Sequence, residues 1–535
     1  MQRQLDLRLG IDVGGTNTDA VLLDRAGRLL AKAKVATRPD ITGGIVAALD
    51  GVLAAAGEDR SRISHVMFGT THATNAVLQR SKLCRVVVIR IGAPSTLAIR
   101  PLLAWPVDLR QTISAGEAIV PGGSEFNGCE IVPFGAHELR RFLDSLPGSI
   151  DGVAITSVFS SVSAEHELEA AEIVRSSLGG DVELSLSHEI GTLGLLEREN
   201  ATVLNAALTN VVREVTQALE TALASRELDA LVFFAQNDGT LMAQEHAARF
   251  PVLTIGSGPA NSIRGAGYLT GMRDAIVVDV GGTSTDVGVL ANGFPRESSA
   301  PIEIGGVRTN FRMPDLVSVA VGGGSIVHGE AGRVEVGPES VGYELAQRAL
   351  VFGGATRTLT DAAVAAGRAR IGDRTVTPEA RLAEALAWAD AALNDAIDRV
   401  KLSRAAQPLI VVGGGSVLTP DQLGGASQVL RPDHFEVANA IGAAIAMVSG
   451  QIDRIFDPSR IGRDAMLDEA KAIACEQAIR AGADPRSVEI VELEELPLSY
   501  LNNPAVRVRA KAAGSLSGAA TVPSNSKEPS CVSPA

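Results

Sequence analysis

Two short apolar runs open the chain, Arg8–Val13 and Ala20–Leu23, separated by a glycine-rich turn, a pattern that predicts a tight β-hairpin. Further apolar, β-branched stretches predict strands at Val66–Phe68, Arg85–Ile91 and Gly152–Val158. Over Ile45–Ala56 the apolar residues recur at helical spacing. Ser163 is placed to cap a helix running to Leu178, with Leu168, Ala171, Val174 and Leu178 on one face and Glu165 and Glu167 in its first turn. Strands alternating with helices predict an α/β architecture. From about Ala510 the apolar period is lost and Ser, Pro, Gly and Ala dominate, which predicts a disordered tail over 510–535.

The hairpin pattern occurs twice. Asp12–Asp19 reads DVGGTNTD and Asp279–Asp286 reads DVGGTSTD, differing only where Ser284 stands for Asn17. Each copy follows one apolar strand and precedes another, so two related lobes are expected. Glycines let backbone N–H groups approach phosphate oxygens closely, and Thr and Ser hydroxyls add donors. On that ground Gly14, Gly15, Thr16, Asn17 and Thr18, and Gly281, Gly282, Thr283, Ser284 and Thr285, are candidate nucleotide-binding residues. An aspartate ending each entering strand can anchor Mg²⁺ or assist phosphoryl transfer. Asp12 and Asp279 hold those places as candidate metal-binding and catalytic residues, with their division of roles open. Neither copy is a P-loop, because GxxxxGK[ST] is absent and no GxGxxG opens a helix.

Composition narrows the class. A chain of 535 residues exceeds one compact core and predicts two or three domains. Aromatics are only 3%, so the core must be built mainly from Val, Leu, Ile and Ala. A net charge of −14 argues against a general nucleic-acid binder. No apolar run reaches the ~18 residues of a membrane span, and the N-terminal MQRQLDLRLG lacks the apolar core of a signal peptide. The four cysteines show no metal-type spacing and are expected as free thiols in the cytoplasm.

A third glycine cluster, VVGGGSVL (Val411–Leu418), follows the apolar run PLIVV, and Val437–Gly450 reads as a helix rich in small residues. A comparable helix is expected near Leu193–Leu208. This order of hairpin, helix, hairpin, GGGS loop and helix resembles the sugar kinase, Hsp70 and actin superfamily. The resemblance implies a two-lobed actin-like ATPase fold with duplicated ribonuclease-H-like domains and inserted segments. It also implies ATP in the cleft, the two helices crossing at the hinge, and Gly413, Gly414, Gly415 and Ser416 against the adenosine.

Six segments resemble a narrower group: GTTHATNAVLQR (Gly69–Arg80), SVFSSVSAEHELEAAEI (Ser157–Ile173), SHEIGTLGLLERENATVLNAAL (Ser187–Leu208), PVLTIGSGPANSIRGAG (Pro251–Gly267), PDLVSVAVGGGSIV (Pro314–Val327) and LTDAAVAAG (Leu359–Gly367). They are similar to the hydantoinase A and 5-oxoprolinase family over about Leu9–Phe456. The resemblance implies an N-terminal domain over 7–180 and a second over 181–500. It implies an ATP-dependent hydrolase, or its ATP-using subunit, that opens a hydantoin, 5-oxoproline or lactam by phosphorylating the carbonyl oxygen. Relatives that activate carbonyl compounds for carboxylation share that logic. Mg²⁺, a second subunit of the hydantoinase B type and an oligomeric assembly are the implied cofactor and partners.

Thr70, Thr71, Asn75 and Asp315 are the candidate substrate residues, although Thr70–Asn75 also reads as a helix-capping turn. His72 is a weaker candidate acid or base. Gly322–Ser325 reads as a cleft-lining loop or a close strand–helix turn. Glu197–Asn200 reads as a surface ion-pair cluster, and Thr360 and Asp361 as a cap for Ala362–Ala369. Two other functions stay open: a small-molecule kinase of the same fold and a nucleotide-gated scaffold.

Overall fold

The computed structural model describes residues 7–37, 40–146, 148–180, 182–190, 193–298, 301–310, 312–372, 374–498 and 505–516. Each glycine-rich repeat forms the predicted hairpin at the centre of its own sheet. In the first lobe β1 (Leu7–Val13) pairs antiparallel with β2 (Asn17–Leu23), which pairs with β3 (Leu29–Ala36), while β4 (Ile63–Thr70) runs parallel to β1. In the second lobe β5 (Ala275–Val280) pairs with β6 (Thr285–Ala291), β6 pairs with β7 (Leu316–Val319), and β8 (Gln407–Val412) runs parallel to β5. Helices cover both faces of these central strands, which is why β1 and β5 are apolar along almost their whole length.

Beyond β4 the first sheet grows through Leu231–Ala235, Leu241–Ala243, Val448–Phe456 and Val506–Gly514 to the edge strand Glu489–Pro497. The polypeptide therefore leaves the first lobe, builds the second and returns. The return overturns part of the expected disordered tail. Val508, Ala510, Ala512 and Ala513 are buried in an internal strand, where small side chains fit beneath the helix Arg463–Arg480. The remainder of that expectation, residues 517–535, lies outside the described residues.

An inserted four-stranded parallel sheet, ordered Ser114–Pro121, Val86–Ala93, Gly152–Ser157 and Glu183–Leu186, hangs from the first lobe. The long helix α1 (Leu195–Ala224) joins the two. Its first half packs on the insert and its second half on β1 and β4. The cluster expected at the surface is part of this joint. Arg198 and Glu199 are buried, and Glu199 accepts two 2.6 Å bonds from the buried Arg90 guanidinium. The predicted helix after Ser163 starts one residue later, at Glu165, without a side-chain cap. Leu168 is half exposed, whereas Glu167, Ala170, Ala171, Ile173 and Val174 form the buried face.

Two helices rich in small residues cross between the lobes, as expected, but one is not the predicted helix. The pair is α2 (Ser257–Thr270) and α3 (Ala438–Ile445), not α1. Each packs on the sheet of the other lobe's chain segment: Ile263 and Ala266 lie on β5 and β8, Ala440 and Ala444 on β2. The crossing is so close that a Cβ on Gly442 would stand 1.8 Å from the Asn261 carbonyl oxygen, and one on Gly265 1.9 Å from that of Ala438. Only glycine fits at either place.

Candidate functional site

A cleft of about 570 Å³ lies between the lobes, with the two hairpin loops facing each other across it. A Cβ on Gly282 would be 2.7 Å from the Thr16 hydroxyl, so the loops are in contact. Each loop is shaped by its own backbone: the Gly14 N–H donates to the Asn17 carbonyl at 3.0 Å, and that of Gly281 to the Ser284 carbonyl at 2.9 Å. Thr37 braces the first loop, its hydroxyl donating to the Gly14 carbonyl at 2.8 Å. Gly322–Ser325 braces the second. The N–H groups of Gly323 and Gly324 donate to the carbonyls of Gly281 and Gly282, and Gly323 also lines the cleft.

The strand registers set up two equivalent rows of side chains. Gly69, Asp12, Asp19 and Lys34 lie side by side across β4, β1, β2 and β3. Val412, Asp279, Asp286 and Ser318 do so across β8, β5, β6 and β7. Glycine beside each leading aspartate makes room for the carboxylate. A Cβ on Gly69 would be 2.2 Å from Asp12 Oδ1, and one on Gly413, where φ is +85°, would be 2.2 Å from Asp279 Oδ1. Asp12 accepts from Asn439 Nδ2 at 2.8 Å and Asn261 Nδ2 at 3.5 Å, one from each crossing helix. The Ser262 hydroxyl donates to Asp279 Oδ2 at 2.5 Å.

The rows differ in charge. Lys34 Nζ bonds both oxygens of Asp19, at 2.8 and 2.9 Å, whereas among the described residues Asp286 receives only the Ser318 hydroxyl. Burial pushes Asp12 up to about 7, helped by the neighbouring Asp19 charge. Burial likewise pushes Asp286 up to about 6 and raises Asp279. Five carboxylates (Asp12, Asp19, Asp279, Asp286, Glu436) line the cleft against one cation, Lys34, among the described residues.

The candidate nucleotide residues divide by strand periodicity. Gly14, Gly15, Thr16, Asn17, Gly281, Gly282, Thr283 and Ser284 line the cleft, as do Gly413, Gly414 and Gly415. Thr18 and Thr285 lie one residue further along β2 and β6 and turn to the opposite face. There Thr285 donates to the Val321 carbonyl at 2.6 Å and Thr18 is buried. Ser416 is fully buried behind its loop.

Of the substrate candidates only Thr71 reaches the cleft, where its hydroxyl donates to the Val13 carbonyl at 3.2 Å. Thr70 is turned inward onto His72 Nδ1 at 2.6 Å, and Asn75 donates to the Thr71 hydroxyl at 3.3 Å. Asp315 lies away from the cleft in a 2.7 Å ion pair with Arg296. Burial holds His72 down to about 4, so its imidazole is neutral near pH 7. The cap of Leu359–Ala365 is Thr358, in a capping box with Asp361. Thr360 instead lines the cleft.

Sequence reasoning missed Lys34, Ser262 and Asn439, the Asn261 that bonds Asp12, and the apolar wall that Leu345, Phe352, Ile371 and Val417 add to the cleft. Ser262 and Asn261 stand inside a family-like segment already singled out. Lys34 could have been found from its register opposite Asp19, and the apolar wall carries no local signal. Cys84 and Cys129 are free thiols as expected, but Cys475 is disulfide-bonded.

Among the described residues no helix is long and apolar enough to cross a membrane, and no group of three or more His, Cys, Asp or Glu forms a ready-made metal cage.

The hydantoinase/oxoprolinase N-terminal region matches residues 8–178, and the hydantoinase/oxoprolinase domain matches 198–403. The caprolactamase subunit alpha of Pseudomonas jessenii is 28% identical over 387 residues, covering 67% of this chain and 54% of that protein. The chain thus spans about half the length of the curated relatives it matches. The crystal structure of the ATP-dependent caprolactamase from Pseudomonas jessenii superimposes with a TM-score of 0.71 at 21% identity, over 95% of this chain and 87% of that one. The nucleotide-free acetone carboxylase does so with a TM-score of 0.71 at 18% identity, over 98% and 90%. These likenesses show the fold, a two-lobed actin-like ATPase architecture. The chain belongs to the hydantoinase/oxoprolinase family.

Proposed function

We propose that the chain is the ATP-using component of an ATP-dependent cyclic amide hydrolase. The observation that carries the reading is the pair of phosphate-type hairpins meeting across one cleft, each with an aspartate at the end of its entering strand lining that cleft. A polyphosphate cannot enter a space lined by five carboxylates without a companion cation. Mg²⁺ fits this donor set, because it typically takes one or two carboxylates and keeps waters and phosphate oxygens for the rest. Asp279 would hold it, and when bound it neutralises charge on the transferring phosphoryl group. Gly14–Asn17 and Gly281–Ser284 would cradle the phosphates, and Gly413–Gly415 with the apolar wall would take the adenosine.

An amide resists water because its carbonyl is resonance-stabilised and its nitrogen leaves poorly. Attack by the carbonyl oxygen on the γ-phosphorus of ATP forms one P–O bond and breaks the β–γ bridge, releasing ADP. Asp12, whose carboxyl titrates near neutrality, is suited to take the ring N–H proton in that step. Water then adds to the carbon, the nitrogen leaves protonated and the ring opens to an acyl phosphate, which a second water hydrolyses. Thr71 is the substrate-side residue of this reading. Thr70, Asn75 and Asp315 are no longer direct contacts in it.

The similar proteins named as subunits support a second subunit as partner, and the use of ATP supports a cytoplasmic setting. The acetone carboxylase likeness supports a second reading, in which the activated carbonyl compound is carboxylated.

The test is ADP release by the purified chain with Mg-ATP, against hydantoins, 5-oxoproline and lactams including caprolactam, for wild type and Asp279→Ala. Stimulation by one ring compound, abolished in the variant, is expected. Stimulation only by a ketone with bicarbonate would favour the second reading, and absence of ATP binding would refute both.

A further inference from the structure

Lys34 is the one cation among the described residues lining the cleft, and it sits where the lobes meet. It is carried by β3 of the first lobe, in register with Asp19, yet its side chain reaches the second lobe. Its ammonium donates to the Glu436 carbonyl at 2.9 Å, and a Cβ on Gly414 would lie 3.5 Å from its Cε and 3.9 Å from its Nζ. An ammonium has three N–H donors. Here two serve Asp19 and the third serves Glu436.

These partners are unequal. Asp19 is 2% exposed, and stripping a buried carboxylate of its counter-ion is strongly unfavourable. The Glu436 carbonyl is less demanding, being one neutral acceptor in a short turn whose side chain is already paired with Lys32. The donor aimed at Glu436 is therefore the exchangeable one. The counterpart of Lys34 in the second row is Ser318, so the cleft offers this cation from one side only.

Resting on the reading that the cleft binds ATP, we propose that Lys34 is a phosphate-binding residue. It keeps Asp19, gives up the Glu436 carbonyl and donates to the inner phosphates of the nucleotide. Its place beside Gly414, rather than at the hairpin tips, selects the inner phosphates over the γ-phosphate. Nucleotide binding then breaks one tie between the lobes at the moment the phosphates bridge them.

The experiment is calorimetric binding of Mg-ATP, Mg-ADP and adenosine to the full chain in four forms: wild type, Lys34→Arg, Lys34→Met and the double variant Lys34→Met/Asp19→Asn. The double variant removes the unpaired Asp19 charge, so a folding defect in Lys34→Met does not decide the outcome. Loss of a charge-assisted phosphate bond predicts about tenfold or greater weakening of both Mg-ADP and Mg-ATP, with adenosine within about twofold of wild type. Lys34→Arg is expected to restore much of the diphosphate affinity. Mg-ADP bound equally well without Lys34 would overturn the inference, as would an equal loss for adenosine, which marks a purely structural residue. A wild type that binds none of the three would instead refute the ATP reading on which the inference rests.

Discussion

At the scale of single residues, the cleft is defined by how its charges are held. Asp12 is buried, bonded by an asparagine from each crossing helix, and titrates near neutrality. Asp12→Asn preserves that packing and removes the proton acceptor. We expect Mg-ADP affinity within a few fold of wild type and substrate-stimulated ADP release reduced at least about 10²-fold, read by steady-state kinetics. His72 has a different consequence. Its folded-state value of about 4 lies below the ordinary value of 6.5, so the unfolded chain binds more protons between them. Its contribution to stability is complete above pH 6.5 and is lost as pH falls through 4. Thermal melts at pH 7 and pH 5 should show a smaller acid-side loss for His72→Gln than for wild type. An equal loss would show that His72 is not the group responsible.

At the scale of elements, glycines separate packing from binding. Gly265 and Gly442 let α2 and α3 touch backbone to backbone, and a methyl group at either place forces the helices apart. Gly442→Ala should lower stability by about 1–3 kcal/mol or more, measured by denaturant unfolding. Gly15 has no atom within 4 Å of its Cβ position and lines the cleft. Gly15→Ala should therefore melt like wild type and still bind Mg-ATP more weakly, because the added methyl occupies space meant for phosphate. If both variants were destabilised equally, the distinction between scaffold and cradle would fail. The hairpins themselves were legible, since strand, turn and strand are local and the period of two is written in adjacent residues. That same period explains why Thr18 and Thr285 fall on the wrong face. The choice of α1 as a crossing helix failed for a physical reason. Small-residue content marks helices able to approach closely, but not which pair meets.

At the scale of the whole molecule, the chain returns to the first lobe and ties it to the second. Lys511, buried in the strand Val506–Gly514, pairs with Asp238 of the first lobe at 2.8 Å and with Glu297 of the second at 2.7 Å. Lys511→Met leaves Asp238 without its cation and Glu297 with Arg312 alone, and should cost about 3–5 kcal/mol, seen as a lower melting temperature. A variant melting within about 1 °C of wild type would show that the return strand does not hold the lobes through this pair. The sequence alone determined the α/β class, the two glycine-rich hairpins, the aspartates that end their strands and the family. All of these are encoded in contiguous residues, whose spacing sets strand, turn and helix directly. Only the tertiary structure decided the rest: which helices cross, the burial of Arg198 and Glu199, the order built from Ala510 to Leu516, and the meeting of Lys34 with Glu436 and Gly414. Those features join residues far apart in the chain, and their partners are chosen by packing and register, which no local pattern records.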